Sequence, residues 1–257
     1  MKKLFWIISV MFLLQACTTV QSVYFERLQP ADVNFPAQIR SVGVVNNMPP
    51  VHQDYKDVDY TSASLEGDGD IAAENLAQEL AAVDYFDQVV LYDKRVRKSA
   101  YPLEQPIPKE TVDELIRLLD VDMLLSMERV NVVLKDSTMF IPELYTFVPA
   151  AEGVVTSVVR AYLKQQEKPL FSIQKTDTLC WEIVQDLTFG DIVKDFSEYA
   201  ASIPMQYLLP YWKEEERRYF DGGNVNMRDA GVCVREQNWE EACRLWKELY
   251  DTKKGKT

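Results

Sequence analysis

The sequence predicts an α/β or α+β fold in which a mixed sheet of about five strands carries two packed helices. An all-helical C-terminal tail follows the sheet. Three observations predict this architecture. Strand-like and amphipathic helical segments alternate between residues 39 and 127, two long strand-like runs come next, and helical periodicity dominates after residue 188.

Each alternating segment has its own pattern. Strands are indicated by β-branched runs that end at turn residues, and helices by apolar residues at a spacing of three or four. The predicted elements are a strand over 39–46, a helix over 70–80 with Asp70 as its N-cap, a strand over 88–92, a helix over 110–119 and a strand over 121–127.

Two long runs, 153–163 and 170–181, are separated by only six residues, which predicts an antiparallel β-hairpin. Before them, residues 139–149 are apolar and aromatic but are interrupted by Pro142 and Pro149. This segment either folds under the sheet as part of the core or presents a loop to a partner or membrane. The first alternative is favoured, because large apolar residues are usually buried.

The chain divides into five predicted regions. The last two helices are expected near 225–236 and 238–250, after a stop at Gly222 and Gly223. The regions are a signal peptide over 1–16, a tether over 17–37, an α/β domain over 38–187, a helical region over 188–252 and a polar tail over 253–257.

The amino terminus has the pattern of a secretory signal. Lys2 and Lys3 precede an apolar run over 4–14, which is too short to span a membrane. Residues 14–17, Leu-Gln-Ala-Cys, resemble the lipobox of bacterial lipoproteins, although Gln15 replaces the usual small residue. The resemblance implies cleavage before Cys17 and attachment of acyl chains to its thiol, so Cys17 is expected to anchor the chain to a membrane.

Charge restricts the partners of the mature protein. Cleavage removes Lys2 and Lys3 and changes the formal net charge from −12 to −14. Such acidity argues against nucleic acid and against anionic headgroups, since both select for Lys and Arg. We expect the lipid to be the only membrane contact, on the outer or inner membrane, with the body in the periplasm or at the cell surface.

The order of elements over 39–181 resembles the α/β domain of the curli-secretion lipoprotein and is similar to the amino-terminal domain of the Tol-system β-propeller protein. The matching segments are Ser41-Val42-Gly43-Val44-Val45, the helix with Ala72, Ala73 and Leu76, Phe86-Asp87-Gln88-Val89, and Val121-Asp122-Met123-Leu124-Leu125. These are hydrophobic patterns without a diagnostic catalytic residue.

The C-terminal helices resemble a tetratricopeptide repeat. The matching residues are Ala230, Gln237, Asn238, Trp239, Ala242, Trp246 and Leu249, with Gln237 and Ala230 in place of the usual glycines. One helix pair cannot form a solenoid, so we expect a helical cap. The whole order of segments resembles an uncharacterised lipoprotein family of gut Gram-negative anaerobes, which implies a location but no activity.

Few residues point to catalysis. His52 is the only histidine and is expected to be an exposed loop side chain. Acidic residues crowd one loop, and a solvated loop is favoured over a calcium site because the spacing departs from the EF-hand pattern; they are Asp54, Asp57, Asp59, Glu66, Asp68 and Asp70. No phosphate-binding, dinucleotide-binding or nucleophile-elbow motif occurs, so we predict no cofactor and no metal.

Cys180, Cys233 and Cys243 show no metal-ligand spacing, and a disulfide between the last two is left open. These observations favour a non-catalytic binding or assembly module with a protein partner in the cell envelope. The alternative is an envelope- or glycan-directed hydrolase that uses scattered carboxylates. An aromatic groove lined by Trp212 or Tyr219 would favour binding, and a cleft with two carboxyl groups of perturbed pKa would favour the hydrolase.

Overall fold

The computed structural model describes residues 20–50, 63–97, 105–183 and 187–254. The elements in chain order are β1 (Val20–Gln29), β2 (Ser41–Asn46), β3 (Ser64–Glu66), α1 (Gly69–Ala82), β4 (Gln88–Tyr92), α2 (Lys109–Leu119), β5 (Met123–Ile141), β6 (Thr146–Leu163), β7 (Phe171–Glu182), α3 (Phe189–Ser202), α4 (Met205–Leu208), β8 (Tyr211–Phe220), α5 (Val225–Arg235) and α6 (Trp239–Lys254). Residues 30–211 form one compact unit, the sheet unit. The described residues before and after it, 20–29 and 212–254, belong to a second unit, the terminal unit.

The sheet unit is built on a mixed sheet with the strand order β4-β2-β5-β6-β7. β2 runs parallel to both β4 and β5, whereas β5, β6 and β7 form an antiparallel meander. The short strand β3 pairs with β5 in antiparallel orientation. This arrangement confirms the predicted fold class of a mixed sheet with packed helices and further helices at the C-terminal end.

Helices cover both faces of this sheet. Side chains alternate along a strand, so Val44 and Leu125 enter the larger core while Val45 and Leu124 enter the smaller one. The larger core holds Leu76 of α1 and Phe196 of α3, and the smaller core holds Leu115 of α2, among others. The crossovers β2-α1-β4 and β4-α2-β5 therefore lie on opposite faces.

The N-cap residue of α1 is not the one that the sequence predicts. Asp68, and not Asp70, is the N-cap, because its carboxylate accepts hydrogen bonds from the backbone N–H groups of Asp70 and Ile71. Asp70 lies in the first turn, where its negative charge also favours the helix dipole. Its side chain accepts a hydrogen bond of 2.6 Å from Asn46.

The apolar segment over 139–149 does not fold under the sheet, so the favoured prediction for it is wrong. β5 and β6 pair as far as Ile141 and Thr146, and the segment forms the end of this long hairpin. Phe140, Leu144, Tyr145 and Phe147 are all exposed there. The prolines are tolerated because Pro142 lies in the turn and Pro149 precedes the buried part of β6.

Residues 20–37 differ from the predicted tether. Residues 20–29 form β1, which pairs with β8 in a two-stranded sheet of the terminal unit. Within the sheet unit, Phe35 packs against Phe86 and Phe171, with ring centroids 5.4 and 5.8 Å apart. Cys17 and the signal segment lie outside the described residues.

The region 188–252 is not wholly helical. Residues 211–220 form β8, and α3 belongs to the core of the sheet unit, where Ile192, Phe196 and Ala200 are fully buried. The two closing helices are confirmed as α5 and α6. In the described part of the chain, no helix is both long enough and apolar enough to cross a membrane.

Candidate functional site

The terminal unit contains a helical hairpin whose turn is closely specified. Asn224 caps α5 by accepting a hydrogen bond of 2.9 Å from the backbone N–H of Met227. α5 ends where the backbone N–H of Asn238 bonds to the carbonyl of Cys233 at 2.8 Å. Gln237 has a φ of 57°, in the left-handed region that glycine usually occupies at this position.

Small residues allow these helices to approach closely. Ala230 and Ala242 are fully buried between them, as the sequence pattern indicates. Gly231 packs closely against Asp221, which lies just before α5. A Cβ atom on Gly231 would lie 2.6 Å from Cβ of Asp221. The close approach leaves the larger aromatic side chains at the edge of the hairpin, where they line a cavity.

This cavity, the aromatic pocket, has a volume of about 460 Å³. Its size falls within the range of small-molecule sites in proteins. β1 and β8 form one wall, and the helical hairpin forms the other. The lining residues are Val23, Phe25, Arg217, Arg218, Tyr219, Val234, Trp239 and Trp246.

Aromatic rings dominate the walls of the aromatic pocket. The rings of Tyr219 and Trp246 lie 6.1 Å apart at an angle of 53°, and Trp239 is partly exposed. Rigid rings of this kind offer a large apolar contact area at a low entropic cost. The pocket is therefore suited to an apolar or aromatic group.

Two guanidinium groups line the pocket, and each is paired with a glutamate. Arg217 bonds to Glu215 at 2.6 Å and also lies over the ring of Phe25 at 5.8 Å, while Arg218 pairs with Glu216 at 3.4 Å. Both arginine side chains are more than half exposed. A guanidinium has five N–H donors, so each ion pair leaves donors for an anionic group of a ligand.

The sheet unit contains a second polar feature, a buried cluster around Glu128. A register shift in β5 between Met127 and Arg129 marks a β-bulge at this residue, and bulges redirect side chains. The carboxylate of Glu128 accepts hydrogen bonds from Asn47 at 2.7 Å and from Tyr162 at 3.0 Å. Arg97 lies 3.5 Å from it and Arg160 lies 3.7 Å from it.

Burial has the largest effect on the pKa of Glu128. It raises the pKa of Glu128, against the opposing effects of the hydrogen bond from Asn47 and the charge of Arg160. Burial also raises the pKa of Glu66, which is partly exposed and pairs with Arg129 at 3.9 Å. Glu128 is only 1% exposed, so it cannot contact a substrate in this conformation.

Three acidic residues of the predicted acidic loop lie within the described ranges, and each of them has a structural partner. Asp68 caps α1, Glu66 pairs with Arg129, and Asp70 bonds to Asn46 and lies 3.5 Å from Arg95. Among the described residues, no group of three or more His, Cys, Asp or Glu side chains is arranged to hold a metal ion. The other acidic residues of the predicted loop, together with His52, lie outside the described ranges.

The aromatic and cysteine residues named from the sequence are placed as follows. Tyr219 lines the aromatic pocket, whereas Trp212 is exposed on β8 and does not. Cys180, Cys233 and Cys243 are free thiols. No sequence pattern predicts that Val23 and Phe25 line the pocket, because they reach it through the pairing of β1 with β8.

Comparison with known proteins places most of the sheet unit and all of β8 in one family. The chain belongs to the family of the domain of unknown function DUF8603, whose match covers residues 39–220. No curated protein matches the sequence.

Solved structures similar to this chain include three proteins at low TM-scores. The PelC dodecamer of Paraburkholderia phytofirmans is 13% identical over 73% of this chain and 98% of that chain, with a TM-score of 0.33. A minor lipoprotein from Acinetobacter baumannii is 8% identical over 68% and 98%, with a TM-score of 0.28. The rare lipoprotein B from Shewanella oneidensis is 11% identical over 84% and 97%, with a TM-score of 0.18.

Proposed function

We propose that this protein is a lipoprotein of the cell envelope, anchored through Cys17, that acts as a non-catalytic binding or assembly module. Its binding site is the aromatic pocket of the terminal unit. The ligand is an apolar or aromatic group that carries a negative charge. A protein partner in the envelope that presents such a group would fit the proposal.

The lining of the aromatic pocket is the observation that carries this proposal. Tyr219, Trp239 and Trp246 supply apolar surface, and water leaves such surface favourably when a ligand covers it. Arg217 and Arg218 stand at the same cavity in a chain whose formal net charge is −12. The N–H donors that the ion pairs with Glu215 and Glu216 leave over can bind an anionic group of a ligand.

The alternative hydrolase receives less support. It requires two carboxyl groups that reach a substrate, one of them with a raised pKa. Burial raises the pKa of both Glu128 and Glu66, but Glu128 is enclosed by polar partners and Glu66 pairs with Arg129. The hydrogen bonds and ion pairs of Glu128 account for its buried position without a catalytic role.

A fluorescent probe with the proposed chemistry tests the pocket. The mature chain with Cys17→Ala is titrated with 8-anilinonaphthalene-1-sulfonate, which combines aromatic rings with a sulfonate. We expect saturable binding that weakens at least about tenfold in Trp246→Ala, because a large buried contact is lost. Trp212→Ala is the matched control, since Trp212 is exposed and lies away from the pocket.

A second pair of variants tests the contribution of the guanidinium groups to binding. Arg217→Gln and Arg218→Gln should weaken binding of the sulfonate probe while leaving the uncharged N-phenyl-1-naphthylamine bound as before. Urea denaturation of every variant establishes that the fold is intact. Equal affinity for the sulfonate probe in wild type, Trp246→Ala and both arginine variants would refute the proposed site.

A further inference from the structure

The β5–β6 hairpin extends past its neighbours in the sheet. β7 pairs with β6 only as far as Ala150, and the backbone N–H of Ile183 reaches Pro149. Beyond Pro149, no described strand pairs with the hairpin. Its last three residue pairs, from Met139 with Val148 to Ile141 with Thr146, form a two-stranded ribbon about 10 Å long. We call residues 139–148 the hairpin tip.

The hairpin tip carries an exposed aromatic cluster on one face. The ring of Phe140 lies 5.1 Å from that of Phe147 and 5.6 Å from that of Tyr145. Tyr145 is nevertheless 87% exposed and Phe147 68% exposed. Leu144, in the connecting turn, is 70% exposed. A group of large apolar side chains in water at one point of a fold indicates a contact surface.

The opposite face of the tip is also apolar. Met139 and Val148 are paired across the ribbon and point away from the Phe140–Phe147 pair, because side chains alternate along each strand. Both are partly exposed. A protein groove usually covers one face of a strand pair. The hairpin tip is apolar on both faces and at its turn, so it is suited to an apolar environment that surrounds it on all sides.

The distribution of charge limits the depth of such a contact. Between residues 137 and 149 the only charged side chain is Glu143, in the turn. The next charges along the ribbon are Asp136 and the ion pair of Lys135 with Glu152, 2.6 Å apart. The uncharged length matches the depth of about 5 to 10 Å to which interfacial segments enter a bilayer.

We propose that the hairpin tip is a second membrane contact, which places its aromatic side chains in the interfacial layer of a lipid bilayer. The proposal rests on the membrane location given above. Only 12 residues lie between Cys17 and Pro30, where the sheet unit begins, so the chain from Cys17 to Pro30 spans at most about 45 Å. The lipid anchor therefore keeps the tip at a high effective concentration near the same membrane.

The chemistry of the tip favours the headgroup boundary over the hydrocarbon centre. Tyr145 has an apolar ring and a polar hydroxyl, as the aromatic residues of membrane interfaces do. Glu143 disfavours deep insertion but can pair with the ammonium groups of zwitterionic headgroups. Binding should therefore need neither anionic lipid nor low salt, in contrast to binding through basic residues.

Vesicle flotation tests this proposal in the absence of the anchor. The mature chain with Cys17→Ala is mixed with vesicles of phosphatidylethanolamine and phosphatidylcholine, and the bound fraction is measured. We expect measurable partitioning that changes little on addition of salt. Phe140→Ser together with Phe147→Ser should lower the partition coefficient by at least about tenfold, since each phenylalanine loses apolar burial. Phe220→Ser is the matched control, because Phe220 is a comparably exposed phenylalanine outside the tip.

The outcomes separate this proposal from the proposed function. Absence of binding to these vesicles, or equal binding by the wild type and the double variant, would overturn it. Self-association of the wild type that the double variant lacks, without vesicle binding, would assign the tip to a contact between copies of the chain and also overturn it. The aromatic pocket contains no residue of the hairpin tip, so the test with the sulfonate probe has its own outcome.

Discussion

Tyr162 donates a hydrogen bond of 3.0 Å to Glu128 in the interior of the sheet unit. Tyr162 in turn accepts a hydrogen bond of 3.2 Å from the backbone N–H of Ile107, so it joins the loop before α2 to the bulge in β5. Burial raises the pKa of Tyr162, and the neighbouring charge of Glu128 raises it further. The hydroxyl therefore stays protonated as a donor at neutral pH.

Replacement of Glu128 by glutamine is expected to change the pH dependence of stability. Burial raises the pKa of Glu128 above its ordinary value of 4.5, so the native state binds this proton more tightly than the unfolded chain does. The contribution of Glu128 to stability is full below pH 4.5 and is lost as the pH rises through the folded pKa. Urea denaturation between about pH 4 and pH 8 measures this contribution.

In Glu128→Gln this pH-dependent loss should be absent, whatever constant difference the substitution adds. The free energy of unfolding of the variant minus that of the wild type should therefore increase as the pH rises. Glu79→Gln is the control, because Glu79 is exposed on α1. A difference between wild type and Glu128→Gln that stays constant across the range would contradict the expectation.

Substitution of Gly153 by alanine should destabilise the sheet unit. A Cβ atom there would lie 2.5 Å from Cγ2 of Val132 and 2.7 Å from Cζ3 of Trp181, in a core that cannot expand freely. We expect a loss of about 1 to 3 kcal/mol in the free energy of unfolding, measured by urea denaturation. Gly190→Ala is the comparison, since its nearest neighbour would be Oγ1 of Thr188 at 3.5 Å and alanine favours the helix. Equal losses in the two variants would show that the packing argument is wrong.

Substitution of Gln237 by glycine should stabilise the helical hairpin. Gln237 has a φ of 57°, where a side chain costs about 1 kcal/mol that glycine avoids. Glu236, the preceding residue, has a φ of −86°, so Glu236→Gly should have the opposite effect. Tryptophan fluorescence during urea denaturation reports on both variants. A destabilised Gln237→Gly would mean that the side chain makes contacts worth more than the backbone strain.

Replacement of Cys17 by alanine should release the protein from membranes. The sequence predicts that acyl chains on this thiol provide the stable anchor, whereas a small interfacial contact is weak and reversible. Fractionation of cells after extensive dilution measures the distribution, and Cys180→Ala is the control because it removes an exposed thiol outside the predicted lipobox. A Cys17→Ala protein that stays with the membrane after dilution would show that another stable anchor exists.

Sequence patterns predicted much of the sheet unit. β4 was predicted over its full length, and α1 and α2 within one or two residues at each end. These elements have one buried and one exposed side, so their apolar residues repeat with the period of the element. The β6–β7 hairpin was predicted for the same reason, together with its short connection.

Sequence patterns do not predict the two strands of the two-stranded sheet. Among the strands that the structure describes, β1 and β8 pair only with each other, and most of their side chains are exposed. The residues Lys213-Glu214-Glu215-Glu216-Arg217-Arg218 therefore lack the apolar alternation of a half-buried strand and look like a solvated helix. Their strand conformation depends on β1, which lies almost 200 residues earlier in the chain.

The fold class, the closing pair of helices and the expected lipid anchor at Cys17 follow from the amino-acid sequence alone. These depend on local periodicity, on turn residues and on a contiguous motif. Three further features emerge from the folded chain: Phe25 and Trp246 share a pocket, Glu128 lies among polar partners, and residues 139–148 extend into solvent. Each of these depends on contacts between segments far apart in the chain, and an apolar side chain has the same sequence signature whether it is buried or exposed.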